Sequence, residues 1–288
     1  MGFFRSIGTG WGFIKEAFAM AFADRRLLKP SIYLVLTTVL YFIGWIALLV
    51  AVDFDWDANP ELGTAIGVVA TFGSFLIFYF FSGMTVNMVD VHLSGGEPSM
   101  KEAYLDDKQN FWAICWLAII STVVNLLARA IRGDGDSLIG NIIAGLIERI
   151  WTIFTFLMLP AIIIEDCSMR EALDRVRKYH KDNALLIGIG DVGVRAITGL
   201  IGFIVVILIS FTVYYSVTGI GGTAGVVVGI TLGGTMLAMY AAFSTFVRMA
   251  YYTCMYLWAK QVSIEGETAP APLPLARALG RVPGAVVA

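Results

Sequence analysis

The chain has 288 residues, 58% of them hydrophobic and only 15% charged, and its mean hydropathy is +0.79. A soluble domain is roughly half apolar and about a quarter charged. The balance therefore excludes a water-soluble globular protein and, outside the C-terminal end, a disordered one. The net charge of −2, from 20 Lys+Arg against 22 Asp+Glu, leaves no basic face for nucleic acid.

The segment up to Pro30 carries Arg5, Lys15, Arg25, Arg26 and Lys29 and has no uninterrupted apolar stretch, so it does not read as a signal peptide. Trp11, Ile14, Phe18 and Ala21 follow helical spacing, with Lys15, Asp24 and Arg25 left for headgroups. That pattern predicts an amphipathic helix lying in the membrane interface. Six apolar runs follow: Ser31 to Val52, Gly63 to Met84, Phe111 to Ala128, Leu138 to Ile164, Ala196 to Ser216 and Ala224 to Val247. A membrane helix needs about 20 such residues. None of the runs alternates apolar with polar, as barrel strands do. Pro160 falls within the fourth and is expected to kink it.

Lys and Arg in short loops set orientation. The loop Asp53 to Leu62 has neither, and carries Asp53, Asp55, Asp57 and Glu61. The segment Arg170 to Lys181 carries five basic residues, and Lys101 and Lys108 mark another cytoplasmic stretch. Both termini are thus expected in the cytoplasm. Arg129 and Arg132 run against this rule, countered by Asp134 and Asp136.

Ser99-Met100-Lys101-Glu102-Ala103 recurs as Ser168-Met169-Arg170-Glu171-Ala172, and Lys15-Glu16-Ala17 echoes it. Ser-x-x-Glu is a capping box, in which both side chains satisfy free N–H groups at a helix start. Each copy precedes a pair of apolar runs. The expected fold is all-α, with six transmembrane helices in three hairpins, each preceded by a cytoplasmic amphipathic helix. Residues 1–264 form the membrane domain, with repeat units at about 9–90, 98–164 and 168–262. Residues 265–288, with Pro270, Pro272, Pro274 and Pro283, are expected to form a flexible cytoplasmic tail.

Gly221, Gly225, Gly229 and Gly233 form three successive GxxxG steps on one helix face, a surface for close helix packing. The partner is either a helix of the same chain or another subunit. Glu148 and Arg149 are charges inside an apolar run, and such charges pair or mark function. At 1.5 Å per residue Glu148 lies about 24 Å from Ile164, near the outer leaflet. There it is expected to pair with Arg129 or to hydrogen-bond Asn125. Asn125, Arg129, Glu148 and Arg149 are the candidate intramembrane polar cluster. Asp191 and Arg195 read as an interfacial pair, Arg248 as an interfacial anchor, and Tyr251, Tyr252, Tyr256 and Trp258 as an aromatic belt.

No catalytic, cofactor or metal site is expected. Cys115, Cys167 and Cys254 form no metal spacing. Gly188 to Gly193 spells G-x-G-x-x-G, but it feeds a span rather than joining a strand to a helix. His92 and His180 are the only histidines. Asp106-Asp107 and Glu165-Asp166 are expected to be solvated.

Leu159-Pro160-Ala161-Ile162-Ile163-Ile164-Glu165-Asp166 leads into Ser168-Met169-Arg170-Glu171-Ala172 and a basic helix ending at Asn183. Phe78-Tyr79-Phe80-Phe81 is followed by Leu93-Ser94-Gly95-Gly96-Glu97-Pro98. Between about Trp11 and Val262 this resembles a group of uncharacterised prokaryotic six-helix membrane proteins. It is similar in layout to the membrane domain attached to some glycerophosphoryl diester phosphodiesterases. The resemblance implies a shared fold and a place in the prokaryotic cell (inner) membrane. It transfers no catalytic residue. The function expected is a non-enzymatic membrane scaffold or accessory subunit, and the alternative is a small-molecule or lipid transporter. The partners expected are membrane lipids, with a homo-oligomer or other membrane subunits.

Overall fold

The computed structural model describes residues 3–133, 138–266 and 269–280, with side chains described over 8–133, 138–179, 193–266 and 269–280. Every regular element among them is helical. α1 (Phe3–Ala23) passes through a 3-10 turn (Arg25–Leu28) into α2 (Lys29–Ala51). α3 (Pro60–Leu93), α4 (Met100–Gln109), α5 (Phe111–Arg132) and α6 (Leu138–Glu165) follow. α7 (Met169–Ile220), α8 (Gly222–Glu265) and the short α9 (Leu273–Ala278) complete the chain. A helix satisfies its own N–H and C=O groups, which an apolar segment in lipid requires. Among the described residues six helices are long and apolar enough to cross a membrane, and each overlies one of the six apolar runs.

The caps are local. Ser168 and Glu171 form the reciprocal box, Ser168 N donating to Glu171 Oε2 at 2.8 Å and Glu171 N to Ser168 Oγ at 3.4 Å. Those bonds hold the Glu171 carboxyl below its usual range. Ser99 makes only the forward half, accepting from Glu102 N.

The chain divides into two compact units, Met1–Val35 with Tyr179–Ala288 and Leu36–Lys178. In the second, α3, α5 and α6 pack on one another and α4 packs on α3. Met84, Val86 and Met88 of α3, Ile114, Leu117 and Ala118 of α5, and Met158, Leu159 and Ile162 of α6 are all fully buried. Towards the α2–α3 loop, Phe42, Ile43, Ile46 and Val69 are exposed. There Tyr41 ties α2 to α3, its hydroxyl donating to Ala70 O at 3.2 Å. Its ring lies where a Cβ on Gly73 would stand.

The other unit is built round the second half of α8. α8 has 44 residues, about 66 Å of helix against a hydrocarbon core of about 30 Å. Ala242 to Ala259 supply most of its buried residues, and α1 and α9 pack against it. Phe13 meets Tyr251 edge-on with ring centres 5.2 Å apart.

This packing changes three expectations. Tyr251, Tyr252, Tyr256 and Trp258 are not a belt; all are buried. α8 runs on past the apolar run ending at Val247, and neighbouring helices cover it. Of the four residues expected on the lipid face of α1, Ile14 and Ala21 are buried while Trp11 and Phe18 are exposed. α1 is apolar on two sides, and helical spacing alone does not say which one turns inward. Residues 269–280 of the expected mobile tail are docked. Leu275 and Ala276 are buried, Trp258 Nε1 donates to Ala269 O at 3.2 Å, and Arg277 reaches Glu16. Pro274 sits in the first turn of α9, where its missing N–H is not needed. Residues 281–288, with Pro283, lie outside the described residues.

Candidate functional site

The charged pair in the apolar run of α6 is Glu148 with Arg132, whose Nη2 donates to Glu148 Oε2 at 2.5 Å. α5 extends to Arg132, one turn past Arg129, and it is this last residue of the helix that reaches α6. Arg129 and Arg149 are exposed and pair with no carboxylate among the described residues. Asn125 does not meet Glu148. Its Oδ1 is buried and finds no hydrogen bond among the described residues. No hydrogen bond or ion pair joins Asn125, Arg129, Glu148 and Arg149 to one another among the described residues, and Asp134 and Asp136 lie outside the described residues.

Elsewhere on α5 and α6, now with α3, sequence reading missed a neutral network. Tyr79 Oη of α3 and Ser121 Oγ of α5 lie 2.7 Å apart. Trp151 Nε1 of α6 donates to the same Ser121 Oγ at 2.9 Å. One hydroxyl thus joins all three helices in the apolar region. The available signal was a Ser within an apolar run, since a buried hydroxyl requires partners.

Of the carboxylates expected to be solvated, Asp166 is exposed, Asp106 is half-buried and Asp107 is buried. Asp107 is fully buried on α4, against Gly83 of α3. A Cβ at Gly83 would come within 2.5 Å of Asp107 Oδ2, so only glycine leaves room for the carboxyl. No donor among the described residues meets hydrogen-bond geometry with either Asp107 oxygen. Burial first, then Asp106, pushes its carboxyl well above the usual range, and the Met84 amide offsets part of the rise. Asp106 accepts from Asn87 Nδ2 at 3.1 Å, and Asn110 Nδ2 donates to Asp166 Oδ1 at 2.7 Å. Burial, Asp166 and Asp90 raise Asp106, against the lowering effect of Asn87. Glu165 pairs with Arg175. Among the described residues no group of three or more His, Cys, Asp and Glu is placed to hold a metal ion.

In the other unit the glycine stripe packs on α7. Cβ atoms at Gly225, Gly229 and Gly233 would meet Ser216 O at 2.4 Å, Val213 Cα at 3.1 Å and Ile209 Cγ2 at 2.9 Å. Gly221 departs from the stripe. It has no neighbour within 4 Å and a φ of +75°, and it turns the chain between the helices. One further tie follows, from Tyr240 Oη to Thr198 O at 2.8 Å. Arg195 donates to Tyr252 Oη at 3.1 Å, while the side chain of Asp191, most of the G-x-G-x-x-G segment and His180 lie outside the described side chains.

Cys115, Cys167 and Cys254 are free and buried. Burial and the nearby Glu171 push the Cys167 thiol up to about 11.

Six apolar helices of spanning length, tied by sparse polar contacts, define the class: a multi-pass helical membrane protein. More particularly, the chain belongs to a family of unknown function (DUF6159), whose model matches residues 65–265. No curated protein matches it. The matched part runs from α3 to the end of α8, and leaves α1, α2 and α9 outside.

Proposed function

We propose that this chain is a non-enzymatic membrane scaffold or accessory subunit of a membrane complex. In this reading it lies in a prokaryotic cell membrane with both termini in the cytoplasm. Its six spans form three hairpins, each entered through a short cytoplasmic helix, in a layout like the membrane domain of the phosphodiesterases named above. Burial in the three Lys/Arg-Glu-Ala segments supports a repeated unit. Ala17, Ala103 and Ala172 are all buried, and so are Ala21, Asp107 and Val176 four residues on.

The observation that carries the scaffold reading is where the polar side chains are spent. Ser121 joins Tyr79 to Trp151, and Glu148 closes on Arg132. Both contacts fasten helix to helix, as polar groups in lipid do when their work is structural. Meanwhile α2 and the loop-proximal parts of α3, α7 and α8 present apolar side chains outward, among them Leu40, Phe203 and Ile230. Such surfaces suit lipid or another membrane subunit.

The transporter reading keeps one observation of its own, the unpartnered Asn125 oxygen. Native mass after mild extraction, with identification of what co-purifies, separates the two. A reproducible larger assembly supports the scaffold. A lone monomer that moves a solute when reconstituted overturns it.

A further inference from the structure

One side of α1 is fixed within its unit: Phe13, Ala17, Met20 and Ala21 are buried, and the helix contacts α8 and α9. The other side presents Trp11, Lys15, Phe18 and Phe22, all exposed, with Phe18 also meeting Phe243 of α8 edge-on at 5.5 Å. Their spacing of four, three and four residues makes one stripe along a 3.6-residue helix. Lys15 Nζ lies 5.4 Å over the Trp11 ring. Next in the chain, Arg25, Arg26 and Lys29 are exposed, and so are Ile32 and Tyr33 at the start of α2. The acids of this stretch are engaged: Glu16 accepts from Arg277, and Asp24 accepts from Arg26. What faces outward is therefore three large apolar or amphipathic rings with a surplus of cations.

We propose that this ridge is a binding surface for anionic phospholipid. The rings of Trp11, Phe18 and Phe22 enter the boundary between headgroups and acyl chains. Lys15, Arg25 and Lys29 meet the phosphates. Aromatic and aliphatic groups on one side with basic groups beside them is the composition that lies in an interface, and basic groups close to an anionic leaflet each add attraction. Position in the chain selects lipid over a soluble partner. The ridge is followed directly by α2, a helix long and apolar enough to cross a membrane, whose first turn exposes Ile32 and Tyr33. The inference holds whether the chain is a scaffold or a transporter.

The test uses the full chain in vesicles of phosphatidylcholine with and without phosphatidylglycerol. Lipids retained after mild extraction are counted by mass spectrometry for the wild type and for Lys15→Gln/Arg25→Gln/Lys29→Gln. Each basic group adds about fivefold to the preference for an anionic surface. The triple variant is therefore expected to lose at least about tenfold of the phosphatidylglycerol enrichment, with an unchanged melting temperature in detergent. Independently, the emission lost in Trp11→Phe identifies the Trp11 signal in the wild type, and lipids brominated near the carbonyl are expected to quench it. An unquenched Trp11 in vesicles overturns the proposal, and so does an unaltered lipid preference in a folded triple variant. A protein from native membranes that shields Trp11 and is displaced from it by neither lipid also overturns it.

Discussion

Asp107 should destabilise the fold it sits in. Its carboxyl is wholly buried, with the Met84 amide acting on it but no donor in hydrogen-bond geometry among the described residues, at a position where the other two Lys/Arg-Glu-Ala segments carry Ala21 and Val176. Leaving a buried polar group unpaired costs about 1–3 kcal/mol, so Asp107→Val is expected to stabilise the protein by about that amount near neutral pH. Its carboxyl is raised in the folded state, so folding binds a proton more tightly than the unfolded chain does. The contribution is complete below the unfolded value of about 4 and is lost as pH rises through the folded value. Wild-type stability should therefore fall with rising pH across that window. Asp107→Asn should flatten the fall, leaving the part due to Asp106, which shifts in the same direction. Thermal unfolding of the full chain in detergent, repeated from acid to mildly alkaline pH, measures both effects. Gly83→Ala supplies a control, because its Cβ meets the carboxyl at 2.5 Å. It should cost about 1–3 kcal/mol in the wild type and much less beside Asp107→Ala. A less stable Asp107→Val, or an unaltered pH slope in Asp107→Asn, refutes the account and implies a charged Asp107 with a partner.

For the Arg132–Glu148 pair, single changes to Gln and the double change should couple by up to about 1 kcal/mol, since both side chains are about a third exposed. Additive melting shifts would deny the pair any energetic role. Gly229→Leu places a branched side chain against Val213 of α7 and should lower stability by about 2 kcal/mol or more, with native mass unchanged. A lowered mass would move the stripe to a subunit interface. With its pKa pushed up to about 11, Cys167 is about a thousandth thiolate at pH 8; it should resist maleimide until the protein is unfolded, and rapid labelling of the native protein would contradict its burial. Asn125→Leu should raise stability by about 1–3 kcal/mol by removing a buried oxygen without a partner. A loss of solute movement without that gain would favour the transporter.

The spans were legible because lipid imposes one simple demand, about 20 apolar residues in a row, and nothing in the chain competes with that signal. The capping box at Ser168 and the close packing at Gly225, Gly229 and Gly233 were legible for a similar reason. Each is a local pattern whose geometry is set within a few residues. The chain was less informative where a pattern has two outcomes. Tyr251, Tyr252 and Tyr256 make an aromatic belt if α8 ends near Val247, and a core if it continues with α1 and α9 laid against it. A hydropathy window finds the membrane part of a helix but not how far the rod extends beyond it.

Carboxylates misled most, because charge in a short amphipathic helix ordinarily means water. Asp107 breaks that rule only through Gly83, more than 20 residues away, whose missing side chain makes the space. The same limit applies to Glu148. Sequence places it near the outer end of α6, but whether Arg129 or Arg132 reaches it depends on how far α5 continues. In both cases the residue type announced that a partner or a pocket was required, and only packing between helices decided which. Polar side chains in this protein are few, so each one that fastens two helices is withdrawn from any pathway through the membrane. That arithmetic, more than the apolar surface, favours a structural role. It also isolates Asn125, whose buried Oδ1 in the apolar part of α5 has no hydrogen bond among the described residues, as the position where a transport function would have to begin.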